Sequence, residues 1–323
     1  MDDLIVIVGV GRSGTSLLQS MLASHSTING IPETSFFRRY ICSLKNSIRT
    51  NYSRREILSV LGADSRMKRL DVDLEKICPE QSQLSRSASH SFLKIYESIL
   101  SLNRKSNDGE LICDKDPKLI EFLPVVKAIP GSKIVLMIRD PRDILLSKKK
   151  AEWSSKRPPL LNILTGFIQM KLACGNKSFD KDSTIHVVVY EKLIHDPVVS
   201  LSSLCNFLDL EFEPSMLNFG VHAKHLVAAD EYSWKKETLG PLLTENANKW
   251  ESHLSHSEVA VIEKLSGDAF RIGGYKSSDA YSNLSFGLKF CVTIFCWTVK
   301  AVSPLITLFF RLRSLWISRN LRP

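Results

Sequence analysis

Leu4-Ile5-Val6-Ile7-Val8-Gly9-Val10-Gly11-Arg12-Ser13-Gly14-Thr15-Ser16 opens the chain and decides its fold. Five consecutive apolar residues, mostly β-branched, read as a buried parallel strand. Leu17, Leu18, Met21 and Leu22 then recur at helical spacing, which predicts a helix from about Thr15 to His25. In a strand, glycine turn and helix N-terminus, backbone N–H groups and the positive end of the helix dipole converge, so an anion is the natural occupant. Gly9, Gly14 and Ser16 fit the frame of a nucleotide-phosphate loop, but that frame demands lysine where Thr15 stands. Without it, nothing in the loop reaches the outer phosphates of a nucleoside triphosphate, and Arg12 offers a planar donor fork instead. A bare glycine joint is the plain alternative. A dinucleotide-binding turn fits less well, because no acidic residue clearly ends a second strand about 20 residues on.

At 323 residues the chain can bury one large α/β core and carry an appended segment. Seven cysteines show no paired spacing, so neither a zinc site nor a disulfide framework is expected, and a reducing compartment is the simpler reading. The first strand begins within a few residues of Met1, which leads us to expect no signal peptide or N-terminal anchor and a cytoplasmic location. The formal charge of +9 does not read as a nucleic-acid surface. Six basic residues (Lys289, Lys300, Arg311, Arg313, Arg319 and Arg322) lie after Ala280 with no acid, so only +3 remains for everything before. That tail is also the most apolar stretch. It can lie in an anionic membrane interface through about 284–318, or dip in and return at Pro304. A straight spanning helix has Lys300 and Pro304 near its middle, which is costly or kinking. The competing expectation is a C-terminal helix pair packed on the core or on a second copy in a homodimer.

Further strands are expected near Thr27 to Ile31, ahead of Pro32-Glu33-Thr34, and at Leu111-Ile112-Cys113, ahead of Asp114-Lys115-Asp116-Pro117. Glu33 and Lys115 therefore sit at carboxyl ends of strands, where open α/β sheets hold ligands. Lys133 to Ile138 predicts another strand, followed by Arg139 and a helix with Asp140 as N-cap and Pro141 at its first position. The capped helix explains Asp140, Pro141 and Asp143 but not Arg139 or Ser147. Both can approach one anion only if the helix folds back along the rim. A strand at Thr184 to Val189 delivers Tyr190-Glu191-Lys192-Leu193, with Asp196-Pro197 and a helix from Val198 to Leu208 after it. Residues 36–104 read as a helical insertion whose scattered arginines (Arg38, Arg39, Arg54, Arg55, Arg66 and Arg69) can greet an anion or simply face solvent. Residues 231–250 read as a polar loop able to close over a ligand.

With these residues in view, the chain resembles sulfotransferases that use 3′-phosphoadenosine 5′-phosphosulfate, over roughly residues 4 to 275. Gly11-Arg12-Ser13-Gly14-Thr15-Ser16 resembles the family's 5′-phosphosulfate loop, and Ile138-Arg139-Asp140-Pro141-Arg142-Asp143 through Ser147 its 3′-phosphate motif. Ile31-Pro32-Glu33-Thr34 and Asp114-Lys115-Asp116-Pro117 look closer to the tyrosylprotein and carbohydrate branch than to the cytosolic small-phenol branch, whose histidine base has no counterpart here. The resemblance implies an α/β fold with a P-loop-like central parallel sheet flanked by helices, a helical acceptor-side insertion at about 36–104 within a body of residues 1–280, and a basic hydrophobic C-terminal helical segment at 281–323. It implies Glu33 as general base, Lys115 and Arg12 as stabilisers of the charge that develops on the transferred group, and no metal. It assigns donor contacts to Gly11, Arg12, Ser13, Gly14, Thr15, Ser16, Arg139 and Ser147, with Tyr190 on the adenosine side or in the core. Lys249 matches a late donor-binding lysine of the tyrosylprotein branch, whereas the serine expected about fourteen residues earlier is replaced near Lys235. The resemblance implies 3′-phosphoadenosine 5′-phosphate as product, and an acceptor hydroxyl for which glycan, lipid-linked sugar, peptide tyrosine and small alcohol all stay open. A P-loop kinase acting on a nucleotide or small molecule is the alternative, disfavoured by Thr15.

Overall fold

The computed structural model describes residues 4–321 except 44, 47–51, 71, 82–83, 85–87, 103–110, 175–181, 228–230 and 232–237. Strand β1 (Leu4–Gly9) is buried at every position, as its unbroken apolar run requires. Helix α1 (Thr15–Leu22) follows and stops three residues before the expected His25, because Ser24 and His25 close tighter turns onto Met21 and Leu22. Strand β2 (Ile28–Gly30) leads into the insertion, where a π-helical turn (Phe37–Ile41), α2 (Arg54–Gly62) and α3 (Ala88–Leu102) are formed. Ser53 and Glu56 close a capping box at the start of α2.

Strand β3 (Leu111–Lys115) runs two residues further than the sequence reading, so Lys115 is part of the sheet. A 3₁₀ turn (Pro117–Phe122) capped by Asp116 follows, leading into a short α-helical turn (Leu123–Val126). Next come β4 (Lys133–Ile138), α4 (Pro141–Lys150), α5 (Pro159–Cys174), β5 (Ile185–Val189), α6 (Tyr190–His195), α7 (Pro197–Leu208) and α8 (His256–Leu265). Asp140 caps α4 and Pro141 begins it, as the sequence requires.

All strand pairs are parallel, in the order β2-β3-β1-β4-β5. Even-numbered β1 residues (Leu4, Val6, Val8) face a core shared with α3 and the π-helical turn. Ile5 and Ile7 face the other core, with α1, α6 and α7. The tail is one continuous helix, α9 (Phe286–Leu321), and does not turn back at Pro304. Proline removes the N–H that would bond the Lys300 carbonyl, and the Ser303 hydroxyl donates to that carbonyl instead at 3.0 Å. The helix packs along the body through α8, α5 and α3, so a single helix stands where a pair was one expectation.

Candidate active site

Because the strands are parallel, the segments that follow them gather on one rim, and a cavity of about 600 Å³ opens there. Its first wall is the loop after β1. Gly14 has φ +93°, and a Cβ on it would fall 2.4 Å from the Tyr190 ring, so glycine alone lets the loop lie against that ring. Arg12 takes a left-handed conformation, φ +78°, unusual for a residue with a side chain. Its Nε donates to Ser147 Oγ at 3.0 Å, and its carbonyl accepts from Arg139 Nη1 at 3.2 Å. Gly11, Arg12, Gly14, Thr15 and Ser16 all line the cavity. Ser13 does not; it is fully buried, and its hydroxyl has no partner among the described residues.

The second wall comes from β2 and β3. Side chains alternate along β3, so Cys113 joins the α1-side core, Asp114 turns to Tyr96 on the opposite face, and Lys115 returns to the α1 side. There the Lys115 amine donates to the Glu33 carboxylate and, at 3.2 Å, to Ser16 Oγ. Lys115 is only 2% exposed, so this cation sits between Glu33 and the glycine loop largely shielded from water. Asp114 behind it is buried, which pushes its carboxyl up to about 6, with the Tyr96 hydroxyl bond opposing part of that rise. Burial also raises Asp116, which Arg38 opposes by donating to it at 3.1 Å.

The third wall is Arg139 at the end of β4. Its guanidinium stacks on the Tyr190 ring at 4.2 Å, and Nη2 donates to the Asn246 carbonyl at 2.8 Å. The Asn246 amide donates in turn to the Tyr190 hydroxyl at 2.9 Å. Asp143 fastens this segment to α4 by accepting the backbone N–H groups of Asn248 (2.7 Å) and Trp250 (3.0 Å). Arg142 is structural: it pairs with Asp140 and Glu263 and stacks on Trp250.

Glu33, Lys115, Arg12, Arg139, Tyr190 and the loop residues other than Ser13 are thus brought together. Ser147 holds Arg12 but is not part of the cavity wall. Lys249 is exposed at the start of a 3₁₀ turn (Lys249–Ser252) and also lies off the wall. Tyr190 packs in the α1-side core and also lines the cavity. Lys235 falls outside the described residues. Sequence reasoning gave no role to Asn246, whose polar loop carries no spacing signal, or to Asp116, quoted within a motif but with its partner Arg38 lying 78 residues away. Of the insertion's arginines, Arg38, Arg66 and Arg69 line the cavity, whereas Arg39 pairs with Asp64 and Arg54 with Glu75.

Among the described residues, seven basic and three acidic ones line the cavity, an excess that suits a ligand bearing several negative charges. Arg139 Nε has no hydrogen-bond partner among the described residues. Loop, cations and stacked Tyr190 together fit an adenosine bisphosphate-type group. Among the described residues no cluster of His, Cys, Asp and Glu is arranged to hold a metal ion.

Comparison with known proteins gives a concordant result. The family model described as "Sulfotransferase family" matches residues 4–214. The chain is 26% identical over 241 residues, 71% of itself and 72% of its counterpart, to the "Putative protein-tyrosine sulfotransferase" of Caenorhabditis briggsae. It is 27% identical to "Protein-tyrosine sulfotransferase 1" of Danio rerio over 261 residues, 76% of itself but 65% of that protein. In fold it is similar to the sulfotransferase domain of the Synechococcus PCC 7002 olefin synthase, with TM-score 0.56 and 17% identity, covering 85% of this chain and 94% of that one. The sulfotransferase domain from the curacin biosynthetic pathway gives TM-score 0.55 at 20% identity, covering 86% and 99%.

Proposed function

This chain belongs to the sulfotransferase family and is a sulfotransferase dependent on 3′-phosphoadenosine 5′-phosphosulfate; from that premise we propose that the strand-end cavity transfers the sulfuryl group to an acceptor hydroxyl with Glu33 as general base. The observation that carries this reading is the Lys115 amine, which touches the Glu33 carboxylate on one side and Ser16 of the glycine loop on the other. The bound donor supplies an activated sulfuryl group on a phosphate leaving group. Glu33 accepts the proton of the attacking hydroxyl. Lys115, Arg12 and the loop N–H groups neutralise the negative charge that builds on the sulfuryl and phosphate oxygens. Arg139 holds the 3′-phosphate, and Tyr190 supports the adenosine side. Ser147 acts through Arg12, and Lys249 contributes nothing to the wall as described.

Arg66 and Lys118 line the cavity beside Arg38 and Arg69, which pair with Asp116 and Glu231, and this cluster favours an acceptor with negative charge near its hydroxyl. Glycans, lipid-linked sugars and, from the relatives' names, tyrosyl peptides are the acceptor classes to compare. The decisive experiment measures labelled sulfate transfer to this panel by wild type and Glu33→Gln. Turnover should fall by about 10²- to 10⁴-fold, while calorimetric affinity for 3′-phosphoadenosine 5′-phosphate stays within about twofold. Undiminished turnover by Glu33→Gln removes it from the base role.

A further inference from the structure

Helix α9 divides lengthwise into three sectors, and their arrangement is independent of the chemistry at the strand ends. Val292, Cys296, Ser303, Thr307, Ser314, Ile317 and Leu321 are buried, a stripe against the body that runs almost the whole length of the helix. On the opposite side large apolar side chains face outward, among them Phe290, Ile294, Trp297 (70% exposed), Leu305 (69% exposed), Leu308 and Leu312. Between the two, Lys289, Lys300 and Arg311 recur every eleven residues, which is three helical turns, so they fall in one row along a flank. From residue 280 to the end there is no acidic residue.

Length and composition alone would let α9 cross a bilayer. Its packing opposes that. The helix is roughly 54 Å long, but only Phe286–Cys291, roughly 9 Å of it, precedes the buried stripe. No piece as long as the roughly 30 Å hydrocarbon core is clear of the body. Crossing would drag polar fastenings into lipid: Lys171 to Ser303 Oγ (2.6 Å), Arg313 to the Cys42 carbonyl (2.6 Å) and Ser318 to the Pro124 carbonyl (3.2 Å).

We propose that α9 is an in-plane anchor whose outer apolar sector sinks into the interface of an anionic bilayer, with Lys289, Lys300 and Arg311 meeting the lipid phosphates and carboxylates along its flank. An apolar face this large is not left in water, and a basic border without acids matches a negative lipid surface. The lysine and arginine stems can reach the headgroups while the helix axis stays parallel to the membrane.

The test floats the purified 323-residue chain with sealed phosphatidylcholine vesicles, with and without phosphatidylserine. The chain should float with the phosphatidylserine vesicles and be released by high salt. Trp297→Glu with Leu305→Glu should abolish flotation without lowering Tm, because both side chains point away from the body. Lys300→Glu with Arg311→Glu should weaken binding to phosphatidylserine vesicles by about thirtyfold or more. For orientation, a membrane-impermeant thiol reagent is applied to Ser285→Cys and Arg319→Cys in a Cys291→Ser background. Both ends should label from outside. Absence of flotation overturns the proposal, and so does protection of one end, which would mean a spanning helix. A dimer that Trp297→Glu with Leu305→Glu splits into monomers, with no vesicle binding by either form, would assign the face to a second copy of this chain. None of these readouts depends on sulfate transfer.

Discussion

At the strand ends Arg12, Arg38, Lys115 and Arg139 each hold a specific polar partner, whereas along the outer sector of α9 a row of large apolar side chains stays half or more exposed among the described residues. The first surface is held in one geometry by its own contacts, as a site for in-line transfer must be. The second is defined only by pattern, and a pattern suffices where the partner is a fluid surface. The two meet through Arg313 on α9, which donates to the carbonyl of Cys42, one residue past the π-helical turn carrying Arg38. The sharpest way to break this contrast is to attack the inner face of α9. Ile317 is fully buried in the core that lies under the insertion, so Ile317→Ala should cost about 2–5 kcal/mol in denaturant unfolding. A cost below 0.5 kcal/mol, an order-of-magnitude bound for surface changes, would mean that α9 is not part of the folded body.

On the cavity side, a buried carboxyl sits behind Lys115. The Asp114 carboxyl titrates at about 6 in the fold against an ordinary value of 3.8. Between those pH values the folded chain keeps a proton that the unfolded chain has lost, so this carboxyl's contribution to stability falls as pH rises from about 4 to about 6 and is then constant. Asp114→Asn keeps an oxygen for the Tyr96 hydroxyl and removes the titration. Relative to wild type it should gain about 3 kcal/mol over that interval, read by urea unfolding at each pH. A parallel pH course for both proteins would show that Asp114 ionises freely.

Arg139 gives the next effect. Arg139→Ala removes the stacking on Tyr190 and the tie to Asn246 together with its charge. Affinity for 3′-phosphoadenosine 5′-phosphate should drop by about 10- to 100-fold, and affinity for adenosine 5′-phosphate by much less. Equal losses for the two ligands would place the arginine's effect in shaping the loop through the Arg12 carbonyl and not in holding the 3′-phosphate.

The legible parts of the fold are those with local causes. The apolar run of β1, the glycine turn and the Asp140-Pro141 cap are each written within a few residues, and each lies where the sequence puts it. Glu33 and Lys115 could be placed at strand ends, but their contact depends on side-chain alternation along β3 and on the β2–β3 pairing. Ser147 came from its place on α4 as well as from motif resemblance, and Lys249 from resemblance alone; neither lines the cavity, since Ser147 accepts from Arg12 and Lys249 is exposed to solvent. Asn246 and the Arg38–Asp116 pair were invisible, since only the fold brings them to the cavity. Pro304 suggested a return of the tail, and Ser303 beside it supplied the hydrogen bond that lets the helix continue.

The smallest effect in the folded state is the most telling for α9. Leu305 is 69% exposed on the outer sector, so Leu305→Ser removes almost no buried area and should change unfolding free energy by no more than about 0.5 kcal/mol. In water the change could even be favourable for solubility, since it interrupts an exposed apolar face. On phosphatidylserine vesicles the same substitution deletes an inserted side chain worth about 1.5–3 kcal/mol when fully buried, so binding should weaken by up to about 100-fold. One residue would then be silent in the folded chain and costly at the membrane, the reverse of Ile317, two helical faces of one element answering to two different solvents. A loss of stability at Leu305 as large as that at Ile317 would place both faces in protein contacts and leave the membrane no face to hold.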